Sequence, residues 1–187
     1  MAPRVKVTKE EIIKTAIELV RNNGLQSLNA RGIATALNCS TQPVFSNFSN
    51  MEELQKATVV AAYKTYLDYL KREAESGKYP QYKSFGMAYI RFAKEEKELF
   101  KLLFMCDRSE DELVPGPDFD ASVELIMKAN GISREAAELI HLETWTCVHG
   151  IGTMLATSFL SLDEELISNI LTDVYQGIRS RHMQKEK

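Results

Sequence analysis

The stretch that decides the fold is Asn29–Leu54, NARGIATALNCSTQPVFSNFSNMEEL. Ile33, Ala34 and Leu37 recur at i, i+1, i+4, and Val44, Phe45 and Phe48 repeat that spacing, which predicts two short helices with one apolar face each. Between them lies Asn38-Cys39-Ser40. Asn tolerates the left-handed conformation that ends a helix, Ser40 is a suitable N-cap, and Pro43 falls in the first turn of the next helix, where its missing N–H costs little. The second helix is therefore expected to start near Thr41. Thr41, Gln42 and Pro43, with Ser46 one turn later, are short or polar and point away from the apolar side, a surface that suits a groove.

Working outward, Thr8-x-x-Glu11 is a capping box that opens a helix carrying Ile12, Ile13, Ala16, Ile17, Leu19 and Val20, and Gly24 stops it. With the two helices of the corner it makes a three-helix module over the first ~50 residues. Met1–Val7, with Arg4 and Lys6, reads as an arm, either solvated or reaching along a phosphate backbone. Asn50, with Glu53 three residues on, caps a long helix that nothing breaks before Gly77 and Pro80, about 24 residues or ~36 Å. That helix links an N-terminal domain, 1–50, to a second domain, 51–187.

Tyr63 to Phe104 holds ten of the sixteen Phe, Tyr and Trp residues. Such density lines a pocket for an apolar or aromatic ligand, or it fills a helical core. Tyr82–Met105 reads as one or two helices with a break near Lys94–Lys97. Cys106–Asp120, with Pro115-Gly116-Pro117, reads as a loop. A short helix from about Phe119 ends at Asn130-Gly131, Ser133 caps a long one running to about Ser158, and Asp163 starts the last, striped by Leu166, Ile167, Ile170, Leu171, Val174, Tyr175 and Ile178. The fold class is all-α, about nine helices, the second domain antiparallel.

Composition bounds the rest. The net charge is −3, yet residues 1–48 carry six Lys/Arg against three Glu, so a mildly basic head precedes an acidic body. Cys39, Cys106 and Cys147 are scattered and form no CxxC pair, which suggests neither a disulfide framework nor zinc and favours a reduced cytoplasm. The N-terminus has no apolar core for a signal peptide. Trp145–Leu162 is uncharged but too rich in Thr, Ser, Gly and His for a membrane span.

The corner resembles the DNA-binding signature of TetR/AcrR-family regulators. In that pattern T-x-R-x-I-A precedes a G-V-S turn, then aromatic-x-aromatic/His-F and P-S/N-K-E-E-L. Here Asn29, Arg31, Ile33 and Ala34 precede Asn38, Cys39 and Ser40, then Phe45, Asn47 and Phe48, then Ser49 to Leu54, without a gap. Phe45 lacks the phosphate-binding hydroxyl of the family's Tyr, Met51 stands where the family has Lys, and Asn29 stands where it has a capping Thr. Trp145-x-x-Val148-His149-Gly150 resembles the W-x-x-x-H-G signature of one class of these proteins' C-terminal domains.

The resemblance implies a dimeric, ligand-responsive transcriptional regulator, most often a repressor. Asn29, Ser40, Phe45, Asn47 and Asn50 would meet phosphates or sugars. Arg31, Thr41, Gln42, Pro43 and Ser46 would meet base edges. A small apolar or aromatic effector would sit among Tyr63, Tyr66, Phe85, Tyr89, Phe92, Phe104 and Trp145. The last two helices, 133–158 and 163–181, would pair across a homodimer, and a close approach there would compensate for the helix-interior Gly150 and Gly152. The changes at Phe45 and Met51 motivate the alternative, a helical ligand- or partner-binding protein of the same fold that does not bind DNA specifically.

No nucleophile, base and orienting group assemble, and G-x-S-x-G, the P-loop, G-x-G-x-x-G and H-E-x-x-H are all missing, so no enzyme and no cofactor are expected. His141 and His149 share a helix but stand ~12 Å apart at i, i+8, too far for one metal ion, and read as structural. The charge runs at 94–98 and 107–112 read as solvated faces.

Overall fold

The structure is a computed structural model that describes residues 7–107 and 117–185. Among these residues it has nine α-helices and no strand: α1 Lys9–Asn23, α2 Ala30–Ala36, α3 Gln42–Asn47, α4 Met51–Ser76, α5 Gln81–Glu95, α6 Lys97–Phe104, α7 Pro117–Asn130, α8 Arg134–Ala156 and α9 Glu164–Lys185. A 3₁₀ turn, Leu25–Ser27, joins α1 to α2. The expected arm lies outside the described residues except at Val7. The expected loop at Cys106–Asp120, and with it the charge run at 107–112, is described only at Cys106–Asp107 and from Pro117 onward. There the chain is already helical, because a proline fits the first helical turn.

The chain divides into two compact units. The first comprises Met1–Leu67 and Glu96–Cys106, so it takes in α1 to α3, most of α4, and also α6. Its core is built from Ile12, Ala16 and Val20 of α1, Ile33 of α2, Val44 and Phe48 around α3, Leu54 and Ala62 of α4, and Leu99 and Phe100 of α6, all buried. Local signals fix the ends of these helices. Thr8 and Glu11 exchange both bonds of a capping box, and Gly24, at φ 78, ends α1 where a side chain would be strained.

The second unit comprises Asp68–Glu95 and Asp107–Lys187. In it α5 packs against α8 and α9. Gly86 allows the close approach: a Cβ there would meet Val148 Cγ2 at 3.3 Å and Leu171 Cδ1 at 3.4 Å. α7 and α8 share a core of Val123, Ile126, Ile132, Ala136, Ala137 and Ile140, with Tyr82, Tyr175 and Ile178 packed on it. The break between α5 and α6 falls at Glu96, inside the range expected, but it does more than bend a helix. It is also the point where the chain returns to the first unit.

Candidate nucleic-acid interface

The corner is assembled by side chain–backbone bonds. Asn29 Oδ1 accepts the Gly32 N–H at 2.8 Å while its Nδ2 donates to the Ser27 carbonyl at 3.1 Å, so Asn caps α2 as the family's Thr would. Asn38 lies at φ 50, the left-handed conformation expected of it, and turns the chain between α2 and α3. The N-cap of α3 is Thr41 rather than Ser40, and its side chain makes no capping bond. Pro43 sits in the first turn, and the short helix opens with a tight turn from the Val44 N–H to the Thr41 carbonyl at 3.1 Å.

Val44 and Phe48 face the core, but Phe45 does not: it is 53% exposed. The i, i+1, i+4 rule assigned it inward, yet α3 has only six residues and its buried stripe is just wide enough for the i, i+4 pair. Gln42, Phe45 and Ser46 therefore form one exposed face. The Ser46 hydroxyl donates to the Gln42 carbonyl at 2.9 Å, which leaves it an acceptor toward anything outside. Asn47 Nδ2 donates to the Pro43 carbonyl at 2.8 Å and to the Val7 carbonyl at 3.4 Å, so this side chain ties α3 to the segment before α1. Arg31 is exposed on α2 and has no ion-pair partner among the described residues. Ser40 is exposed in the turn.

Asn50 Oδ1 accepts the Glu53 N–H at 2.9 Å, capping α4, and Glu53 reaches back to the Ser49 N–H at 2.8 Å. That backbone bond, helped by Lys9, holds the Glu53 carboxyl below the usual carboxylate range. Lys9 was not singled out in the sequence, yet its Nζ lies 3.1 Å from Glu53 and 4.6 Å from the centre of the Phe48 ring, so one α1 side chain holds both ends of the segment after α3. A second such tie is Arg21, whose Nε donates to Glu96 Oε2 at 2.7 Å and whose guanidinium also pairs with Glu18. Lysine and glutamate at 94–98 are accordingly not a uniformly solvated face, since Glu95 accepts from Tyr69 at 2.8 Å and Glu98 from Lys101 at 2.6 Å.

The seven aromatic residues expected around an effector fall into both units. In the first, Tyr63 and Tyr66 lie 5.7 Å apart between ring centres, and Tyr66 meets Phe104 edge-on at 5.2 Å. In the second, Phe92 meets Tyr69 at 5.4 Å, Phe85 is half-buried on α5, and Tyr89 and Trp145 gather at His149. The Tyr89 hydroxyl lies 2.7 Å from His149 Nδ1, and Trp145 stacks on the His149 ring with centres 5.0 Å apart. His141 is matched in the same way by the Tyr82 hydroxyl at 3.1 Å. Burial pushes both histidines down and both tyrosine hydroxyls up, so all four are neutral near pH 7. Among the described residues no three His, Cys, Asp or Glu side chains stand close enough to share a metal ion, and no helix is long and apolar enough to cross a membrane.

On the outside of α8 and α9, Leu139, Leu142, Trp145 and Leu166 are exposed, and a Cβ at Gly150 would meet nothing within 4 Å. Among the described residues, then, no close approach compensates for Gly150.

No known family profile matches this sequence, and no curated protein is similar to it. Solved structures are. A protein of unknown function from Rhodococcus sp. RHA1 superimposes with a TM-score of 0.71 at 18% identity, over 96% of this chain and 98% of that one. A TetR-like transcriptional regulator from the same organism gives 0.64 at 14% identity, over 98% and 99%. A protein described as a TetR-family transcriptional regulator from Vibrio parahaemolyticus gives 0.63 at 13% identity, over 90% and 96%. The chain therefore has the all-α fold of TetR-like regulators, across nearly its whole length.

Proposed function

We propose that this protein is a TetR-type transcriptional regulator that binds a palindromic DNA operator as a homodimer and is released by a small, mainly apolar effector, acting as a repressor in the cytoplasm. The observation that carries this reading is the exposed face of α3, Gln42, Phe45 and Ser46, on a short helix that with its C-cap residue buries only Val44 and Phe48. A short helix with so little inward surface, flanked by the Asn29 and Asn50 caps, is suited to a major groove. The fold it shares with TetR-like regulators supports the same reading.

In this reading residues 1–50 are the DNA-binding domain and 51–187 the effector and dimerisation domain, with α4 linking them. Arg31, Thr41, Gln42, Pro43 and Ser46 meet base edges. Ser40 and Asn47 lie toward the backbone, while Asn29 and Asn50 act there through the helix ends they cap. The exposed apolar residues of α8 and α9 and the open space at Gly150 suit a partner subunit. Candidate effector contacts are Tyr63, Tyr66 and Phe104 within the first unit, and Phe85, Tyr89, Phe92 and Trp145 within the second. Coupling between effector and operator is expected at ~1–3 kcal/mol and must be reciprocal.

Selection of bound duplexes from a random pool tests the reading. A two-fold palindrome with half-sites about one helical turn apart, or somewhat more, is the expected outcome. A pool that yields no enriched sequence would instead favour a helical ligand-binding protein whose N-terminal module does not hold DNA specifically.

A further inference from the structure

Resting on the DNA-binding reading above, we infer that Phe45 reads the C5-methyl group of a thymine in each half-site, and so fixes operator specificity without a hydrogen bond. The exposed face of α3 offers three side chains. The Gln42 amide can donate and accept at once. Ser46 has already spent its proton on the Gln42 carbonyl at 2.9 Å. Phe45 presents half of an aromatic ring to the outside and has no polar atom.

Charge narrows the reading further, because no Lys or Arg occurs between Arg31 and Lys56. α3 itself therefore carries no cation to pair with guanine O6 and N7, the commonest specific contact in the major groove. An apolar ring in that groove finds one apolar partner on a base edge, the thymine methyl. Gln42, one turn earlier on the same face, matches adenine N6 and N7. The two side chains thus favour A·T pairs at neighbouring positions. A phosphate contact, the other use of an aromatic residue at such a site, needs a hydroxyl that Phe45 does not have.

The test starts from the tightest duplex recovered from the random pool and replaces its thymines one at a time by deoxyuridine, which keeps the base pairing and removes only the methyl. One position per half-site should lose affinity about fourfold, equivalent to ~0.8 kcal/mol for one buried methyl-sized group, and about fifteenfold when both half-sites are changed. In Phe45→Ala, whose fold is checked by circular dichroism, that sensitivity should disappear while other positions keep theirs. Phe45→Leu should retain part of it. If every thymine of the wild-type complex tolerates deoxyuridine, or if Phe45→Ala leaves the sensitive position unchanged, the inference is overturned while DNA binding stands. If no duplex is retained at all, the DNA-binding reading falls and the inference falls with it.

Discussion

The corner at Asn29–Leu54 and the aromatic band at Tyr63–Phe104 are held by different kinds of contact. The corner is a chain of local bonds: Asn29 to Gly32, Ser46 to Gln42, Asn47 to Pro43 and Asn50 to Glu53, each spanning three or four residues. The band is held by ring packing between distant segments, and it is split. Tyr63, Tyr66, Phe100 and Phe104 pack in the first unit, whereas Tyr69, Tyr82, Tyr89 and Phe92 pack in the second. Local bonds set a shape that sequence spacing encodes, but ring packing depends on which segment folds back on which.

The largest effect should come from deleting a ring on either side of that split. Phe92 and Phe100 are both fully buried, so Phe92→Ala and Phe100→Ala should each lose ~3–5 kcal/mol of stability. Hydrogen exchange should then loosen α5, α8 and α9 in the first variant, and α1 and α6 in the second. Equal loosening everywhere in both would mean that the two units open as one.

A smaller effect is expected at the corner's outer face. Arg31→Ala and Gln42→Ala should each weaken the best operator by ~1–3 kcal/mol and relax preference at particular base pairs, measured by binding to a panel of single-base variants. A Gln42→Ala protein that selects an unchanged motif would turn α3 around. Smaller again, and felt in stability rather than in reading, Asn29→Ala should lose ~1 kcal/mol in chemical denaturation, the worth of one helix cap. A loss as large as that of Phe100→Ala would show that the cap is not merely local.

The smallest effect separates the units by pH. All three histidines, His141, His149 and His182, belong to the second unit. Burial holds His141 and His149 below the ordinary histidine value, so the unfolded chain binds protons that the folded chain does not. The stability this represents is complete above about pH 6.5 and is lost as pH falls from there toward the folded value. His149→Gln should flatten part of the drop in melting temperature between pH 7.5 and 5.5, and exchange in α1 to α3 should not respond to the substitution.

Much of the helical plan could be read in advance because its punctuation is local. The capping box at Thr8, the left-handed Asn38, the Asn50 cap, the break near Glu96 and the Ser133 cap all lie where spacing and residue type put them. The exposure of Phe45 was not legible in the periodicity, because a stripe rule made for long helices overstates the buried width of a six-residue one, although the family resemblance, which set Phe45 against phosphates, implied it. Nor was the membership of α6 in the first unit. Arg21 and Glu96 are 75 residues apart, and nothing in either neighbourhood names the other. The aromatic residues were visible as a group, but their division was not, since a phenyl ring carries no address for its partner.

Whether α2 and α3 hold duplex DNA is tested most directly by the affinity of the intact protein for its selected duplex as salt is raised. Phosphate contacts release counterions, so the logarithm of the binding constant should fall linearly and steeply with the logarithm of salt concentration, with footprinting protecting two symmetric half-sites. Retention that is indifferent to salt, or protection of a single asymmetric site, would contradict such binding.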